Sequence, residues 1–293
     1  MKAAVHKDDI DGICCAALIL LKYPNAKIDF LSVLEAKESL EYYDIVADLP
    51  KGKNTKANID HHESNYKRLV EQNLLTTRDL IDPNAPSATR LLANYLDLTN
   101  NKIAIELVEM ADLADTGNLD DTLYKLDKII KSNLKKPENL LKIAKILASR
   151  GRDFINDPWI QKEWSVVSDY ISRSIDYIKK LVNKAISRDI RYMIFDLRKR
   201  FPYFIAKDVA HEFLSKGGLA VAVTYLDPDT QKSRISLRIS NSCDIHAGKL
   251  AEKFGGGGHE KAAGSIPENF EKAIYIILNE FSKKGLVGFL QAE

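Results

Sequence analysis

The chain has 293 residues, 45% hydrophobic and 29% charged, with 43 Lys and Arg against 41 Asp and Glu for a formal net charge of +2. That length buries a full core and most naturally holds two domains. Near-neutral charge excludes a global field drawing the protein to nucleic acid, so any grip on phosphates must come from local clusters. Three cysteines, two of them adjacent as Cys14-Cys15, make no disulfide framework and point to a reducing compartment. The apolar run 13–21 is too short to span a bilayer and follows three aspartates rather than a basic leader, so a cytoplasmic protein with no membrane partner is expected.

Residues 2–5 read as a first strand opening directly into His6-Lys7-Asp8-Asp9-Ile10-Asp11-Gly12, followed by an apolar helix that ends before Pro24. Strand, acidic loop, helix places the carboxylates at the carboxyl edge of a parallel sheet, where α/β proteins put their ligands. One of these aspartates is accounted for as a helix cap. The remainder exceed capping, and their mutual repulsion asks for a cation. Cys14 and Cys15 read as small buried helix residues. Residues 28–33 and 43–47 are the second and third strands; the third closes on Asp48, which before Leu49-Pro50 is equally a turn residue.

After a basic loop at 51–56, residues 57–59 form a fourth strand that delivers Asp60-His61-His62. Imidazole and carboxylate are costly to bury unless paired or metal-bound. Strand alternation puts Asp60 and His62 on one side and His61 on the other, and a turn at the strand end can bring all three to one site. The plainer reading is a polar turn with two solvated histidines. Turn chemistry at 82–87 leads into an amphipathic helix at 88–96, and a second helix from 102 ends at Asp112-Leu113-Ala114-Asp115-Thr116-Gly117. Alternating strands and helices predict an α/β fold with a doubly wound, mainly parallel sheet. Acidic or histidine residues close three of its strands and one helix, and two carboxylate-bridged divalent ions are the simplest way to neutralise them.

Residues 121–187 read as a helical connector. Asp157 and Pro158 start a long helix whose apolar stripe Ile160, Trp164, Val167, Ile171, Ile175, Ile178 and Val182 is close to a heptad seam. It either packs on its neighbours or forms a homodimer through residues 158–186. From 190 a smaller α/β domain is expected, with strands at 192–196, 203–206, 218–226 and 234–239 and a helix at 244–254. The run Gly255-Gly256-Gly257-Gly258-His259 leaves backbone N–H groups bare to cradle phosphate, or serves as a hinge. Arg238, on the strand before, is a second phosphate contact or a surface arginine. Arg188, Arg191, Arg198, Lys199 and Arg200 line a groove or form a solvated charge run. A last helix stops at Gly285, leaving the apolar tail Leu286-Val287-Gly288-Phe289-Leu290, which folds back on its domain or meets a partner.

Together, Asp60-His61-His62 and the later Ser236-Leu237-Arg238 and Phe254 to Gly264 segments resemble the DHH phosphoesterase superfamily. The second motif resembles the C-terminal DHH-associated domain of RecJ-like nucleases and oligoribonucleases. The resemblance runs from residue 2 to about 280, and two motifs in the right order make it specific. It implies a DHH catalytic domain at 1–120, a connector at 121–187 and a DHH-associated, substrate-binding domain at 188–293. It implies metal ligands at Asp9, Asp11, Asp48, His61 and Asp115, with Asp112 as the alternative to the last. His62 would face the substrate phosphate and Asp60 would orient the pair from behind. The superfamily's first motif usually reads His-x-Asp-x-Asp-Gly. Here Lys7 holds the histidine place, and His6, one residue early, is expected to reach the metal through a bulge.

Two divalent cations, Mn²⁺ or Mg²⁺, suit such a donor set without thiolates. The implied chemistry is two-metal phosphodiester hydrolysis, with Asp48 bridging and a hydroxide shared by the ions attacking phosphorus. His62 and Arg238, with Gly256, Gly257, Gly258 and His259, would hold the phosphates. A site between two domains admits a strand end but not a duplex, so the expected activity is an exonuclease on single-stranded DNA or RNA or on short oligonucleotides. The alternatives are a small-nucleotide phosphatase, a phosphodiesterase for cyclic or linear dinucleotides, and a non-catalytic replication scaffold of the same fold. The tail resembles a sliding-clamp-binding peptide, with Leu286, Phe289 and Leu290 filling the clamp pocket from a 3₁₀ turn.

Overall fold

A computed structural model describes residues 1–291. The chain divides into two compact units, Met1–Val167 and Ser168–Glu293. In the first, β1 (Lys2–His6), α1 (Ile10–Lys22), β2 (Lys27–Leu31), α2 (Val33–Glu38), β3 (Ile45–Ala47), β4 (Asn58–Asp60), α3 (Glu63–Glu71) and β5 (Leu80–Ile81) follow one another. Helices α4 (Ala88–Tyr95), α5 (Lys102–Asp115), α6 (Asp121–Ser132) and α7 (Pro137–Arg150) come next, and a 3₁₀ turn leads into α8 (Pro158–Ile186).

The five strands form an all-parallel sheet in the order β2-β1-β3-β4-β5. Its strand order reverses beside β1, so the loops leaving β1 and β3 flank the switch point where such sheets open a crevice. Helix α1 packs against α4, α5 and α7 and buries every residue from Ile10 to Leu20. That enclosure is why its sequence lacks the polar face of a surface helix. The expected connector is built differently: Leu123, Leu126 and Ile129 of α6 and Leu140, Ile143 and Leu147 of α7 join the same core as α1.

In the second unit, β6 (Tyr192–Asp196), α9 (Ala206–Ser215), β7 (Ala220–Leu226), β8 (Ser233–Ile239), α10 (Ala247–Glu252), β9 (Gly257–Gly258), β10 (Ala262–Ser265), α11 (Phe270–Ser282) and β11 (Val287–Gln291) make a six-stranded mixed sheet and its helices. The order is β11-β6-β7-β8-β10-β9. One face carries Ile194, Ala222, Leu237 and Ala263 into a core with Ile277 and Phe281 of α11.

Three expectations change here. Residues 203–206 are no strand but a 3₁₀ turn, Tyr203–Ile205, entering α9. The β-prone Tyr-Phe-Ile run loses to the helical spacing of Ala206, Val209, Ala210 and Phe213. Most of the heptad stripe is covered within the chain: Ile160, Val167, Ile171, Ile178 and Val182 are buried while Trp164 and Ile175 are half-buried, so the described residues leave no continuous free seam for the expected homodimer. The apolar tail is an edge strand, pairing parallel with β6 from Val287↔Tyr192 to Gln291↔Asp196. Leu286 and Phe289 stay 66% and 50% exposed, but a strand sends Phe289 and Leu290 to opposite faces, so they do not share the single 3₁₀ turn that the clamp reading needs. Among the described residues no helix is long and apolar enough to cross a membrane.

The strand ends are tied down by buried polar contacts. The fully enclosed Asp79 carboxylate accepts from Lys51 Nζ at 2.6 Å, Thr76 N at 2.7 Å and Asn58 N, at the start of β4, at 2.9 Å. Burial opposes its charge, yet Lys51 and these donors hold its pKa below the usual carboxylate range. With the folded value below the unfolded one, this contribution is complete above about pH 4 and is lost as pH falls through the folded value. Asp79→Ala strands Lys51 in a largely buried place and is expected to cost roughly 3–5 kcal/mol. Urea unfolding at pH 7 and pH 3 measures both effects: the wild type should lose stability on acidification and the gap to Asp79→Ala should narrow.

Candidate metal centre

Four loops of the first unit deliver carboxylates and imidazoles to one place. Asp9 leaves β1 as the N-cap of α1, its Oδ1 accepting from Gly12 N at 2.9 Å. Its Oδ2 lies 2.7 Å from His6 Nδ1. Asp9 is thus both the cap and a member of the cluster. His6, at the end of β1, is also 3.4 Å from Asp48 Oδ2. Lys7 turns away and donates to Glu35 at 2.8 Å, so of the two candidates for the first-motif histidine place only His6 reaches the cluster. The approach is tight: a Cβ on Gly12 would stand 2.1 Å from the His6 carbonyl oxygen.

Asp11 is fully buried in the first turn of α1, and its partners were not foreseen. Its Oδ2 accepts from Ala88 N at 2.7 Å and its Oδ1 from Thr89 N at 2.8 Å and Thr89 Oγ1 at 2.5 Å. The carboxylate therefore sits on the N-terminus of α4, which holds it in place and favours its charge. The sequence signal was Ser87, whose side chain caps that helix by accepting from Arg90 N. Ser87 Oγ also donates to Asp112 Oδ1 at 2.6 Å, and the Arg90 guanidinium binds the other oxygen. Those contacts consume Asp112. Asp115, one helical turn on, is the residue whose Oδ2 meets His61 Nε2 at 3.2 Å.

Asp60-His61-His62 ends β4 as follows. Asp60 is fully buried and saturated: Oδ1 accepts from His61 N at 2.8 Å and His62 Nδ1 at 2.7 Å, and Oδ2 from Asn65 Nδ2 at 2.7 Å. It orients its neighbours and has little left for a cation. His61 Nδ1 lies 3.2 Å from the Ala85 carbonyl and donates to it, which turns Nε2 toward Asp115, Asp11 at 3.7 Å and Asp48 at 3.8 Å, where it carries a proton to these carboxylates or gives its lone pair to a cation that replaces that proton. Ala85 and Asn65 act through hydrogen bonds that only the folded chain brings into reach.

Asp48 is the hinge of the arrangement. It follows β3 with φ 55°, in the left-handed region that a non-glycine residue enters at a cost. Its Oδ2 is buried and makes no hydrogen bond among the described residues, the His6 ring standing 3.4 Å away outside hydrogen-bond geometry. Three overlapping triplets, His6/Asp9/Asp48, Asp48/His61/His62 and Asp11/His61/Asp115, each bring their ligand atoms within 4.8 Å of one another. Asp48 and His61 each belong to two of them. Burial, then the charges of Asp9 and Asp11, push the Asp48 carboxyl well above its ordinary range. Burial, then Asp115 and Asp9, raise Asp11 to about 7. Burial opposes the charge of both His6 and His61, but their carboxylate neighbours prevail, lifting His6 well above its usual value and His61 to about 9. The carboxylates cannot all ionise without added positive charge, and the donor set of oxygen and imidazole nitrogen around an orphaned oxygen fits divalent cations.

The second-unit residues singled out above lie on its sheet. Arg238, half-buried on β8, donates to Ser236 Oγ at 3.1 Å and the Leu237 carbonyl at 2.8 Å, and no carboxylate pairs with it among the described residues. The glycine run is not bare: Gly256 N donates to the Ala251 carbonyl and His259 N to the Ala262 carbonyl. Gly257 and Gly258 pair with β10 as an edge strand. Gly258, at φ 144°, would put a Cβ 2.5 Å from the Ala262 oxygen, so glycine is needed to close the hairpin. Gly257, Gly258 and His259 remain exposed, while Gly256 is packed in.

Residues 190–283 match the DHHA1 domain family. With a DHH triplet closing β4 ahead of that domain, the chain resembles the DHH phosphoesterase superfamily. No curated protein matches the sequence. Among solved structures, the pGpG-specific phosphodiesterase PggH from Vibrio cholerae is 18% identical, with 97% of this chain and 98% of that chain covered at a TM-score of 0.63. An exopolyphosphatase-related protein from Bacteroides fragilis is 16% identical over 96% of this chain and 91% of that one, at a TM-score of 0.46. At such identity the likeness to PggH establishes a shared fold.

Gly12→Ala tests the packing of the site. The methyl has backbone on its far side, so the β1–α1 turn must shift and carry His6 and Asp9 with it. A destabilisation of about 1–3 kcal/mol is expected from such overpacking, read as a fall in the urea midpoint, whereas Gly257→Ala, with nothing within 4 Å of its Cβ position, should lose less.

Proposed function

We propose that the chain is a divalent-cation-dependent phosphodiesterase that hydrolyses short single-stranded oligonucleotides, dinucleotides included, from an end. The observation that carries this reading is Asp48: a buried carboxylate oxygen with no hydrogen bond among the described residues, facing the His6 imidazole at 3.4 Å, on a left-handed residue shared by two ligand triplets. His6, Asp9, Asp11, Asp48, His61 and Asp115 would hold two cations, Mn²⁺ or Mg²⁺ by donor type. Bound there, the cations would neutralise the carboxylates, draw charge from a phosphoryl oxygen and bring the pKa of water toward neutrality.

The chain's own residues do the rest. The hydrogen bond to Asp60, against the cost of burial, raises the His62 pKa and fixes the ring by Nδ1, so a proton at Nε2 is available to a phosphoryl oxygen or to the departing alkoxide. Asp60 is a positioning residue, itself held by Asn65. Arg238 of the second unit, with no carboxylate partner among the described residues, offers a guanidinium to a phosphate. The fold shared with PggH, a protein named for its action on pGpG, supports a short linear oligonucleotide over a long strand.

The test is hydrolysis of end-labelled two- to five-nucleotide DNA and RNA oligomers in Mn²⁺. Stepwise shortening is expected, abolished by chelation. Asp48→Ala should lower the rate by more than roughly 10⁴-fold, beyond the ~10²–10⁴-fold loss of a single acid–base group. Asp112→Asn, outside the cluster, should stay near the wild-type rate. Near-normal turnover by Asp48→Ala, or cleavage that persists with the cation removed, contradicts the reading.

A further inference from the structure

A cavity of about 160 Å³ opens beside the candidate metal centre, bordered by His6, Asp48 and His62 and also by Lys37, Ser64 and Arg68. Its volume is roughly ten times the ~15 Å³ that seats one water. Its chemistry away from the ligands is cationic. Arg68 has no carboxylate partner among the described residues: Nη2 donates to Asn65 Oδ1 at 3.0 Å and the Lys51 carbonyl at 2.9 Å. Its Nε has no hydrogen-bond partner among the described residues but is itself closed off from solvent, so the rest of the guanidinium is what the cavity meets. Exposed Lys37 likewise pairs with no carboxylate among the described residues. The N-terminus of α3 lies here too, and its N-cap His62 gives no side-chain cap because that imidazole is turned to Asp60. The positive end of a nine-residue helix is therefore left to whatever enters.

Two side-chain cations and an uncapped helix end oppose a metal ion here, and set beside the apolar walls Val33 and Pro50 they suit an anionic group carried on a larger ligand. An anion satisfies all of them. Building on the phosphodiesterase reading, we propose that this cavity is a subsite for a second, non-scissile phosphate of the substrate. It shares His6, Asp48 and His62 with the metal centre, so the phosphate it takes is a near neighbour of the one being cleaved. A dinucleotide with a terminal phosphate, or a trinucleotide with a further diester, can fill it; an unphosphorylated dinucleotide cannot.

The experiment compares kcat/KM for ApA, pApA and ApApA in Mn²⁺. Wild type should favour pApA over ApA by about 10- to 100-fold, the range of one or two charge-assisted hydrogen bonds, chiefly through KM. ApApA reports whether an internal diester serves as well as a terminal monoester. Lys37→Glu and Arg68→Ala should each bring the pApA:ApA ratio near one. Arg68 also holds Asn65, so Lys37→Glu, at an exposed side chain with no hydrogen bond of its own, is the cleaner variant. A wild-type ratio near one, or a ratio untouched by both substitutions, overturns the subsite. If none of the three is cleaved, the phosphodiesterase reading fails, and calorimetry of pApA against ApA decides the subsite separately, equal affinities overturning it.

Discussion

The first unit is organised around a charge conflict: Asp9, Asp11, Asp48 and Asp115 are gathered at the carboxyl edge of one parallel sheet, with Asp11 and Asp48 wholly out of water. Burying an unpaired carboxylate is among the costliest things a fold can do. Every local device at this edge relieves or tolerates that cost. Asp9 caps α1 and Asp11 lies in its first turn, both at the helix's positive end. Asp11 is also held across 78 positions of sequence by the start of α4. What the backbone donors leave unrelieved is Asp48 Oδ2, and a cation is the natural remedy.

Much of this was legible in the sequence because each ligand closes a strand or a helix, where one residue's position follows from one element. The Asp60-His61-His62 triplet, Asp48 after an apolar strand and the Asp-x-Asp-Gly turn could be placed without tertiary knowledge. What could not be read depends on contacts between elements. Whether Asp112 or Asp115 joins the cluster is decided by Ser87 and Arg90, more than twenty positions away. Which of His6 and Lys7 points inward is decided by Glu35, which takes the lysine. The tail read as a free apolar peptide because strand pairing with β6 is invisible locally, and the glycine run read as a bare cradle because β10 supplies its partners. The heptad stripe of α8 was seen correctly, but periodicity alone does not say which surface covers it.

The electrostatics of the two units are complementary in kind. The first concentrates carboxylates and imidazoles, with Lys37 and Arg68 at the rim of a cavity beside them. The second presents Arg238 on a β-strand, its charge opposed by burial and unrelieved by any acid among the described residues. In the first unit, Lys37 and Arg68 beside a cluster that could hold divalent cations favour the phosphate-bearing substrate proposed above. A net charge of only +2 means such recognition is local and suits a small ligand better than a long polyanion, whose capture draws on many dispersed phosphate contacts.

The central claim is that Asp48 bridges two cations, and calorimetric titration of the full chain with Mn²⁺ tests it most directly. The account predicts two ions bound per chain in the wild type and a loss of affinity at both sites in Asp48→Asn. One ion or none in the wild type, or a variant that still binds two ions with unchanged affinity, would contradict it.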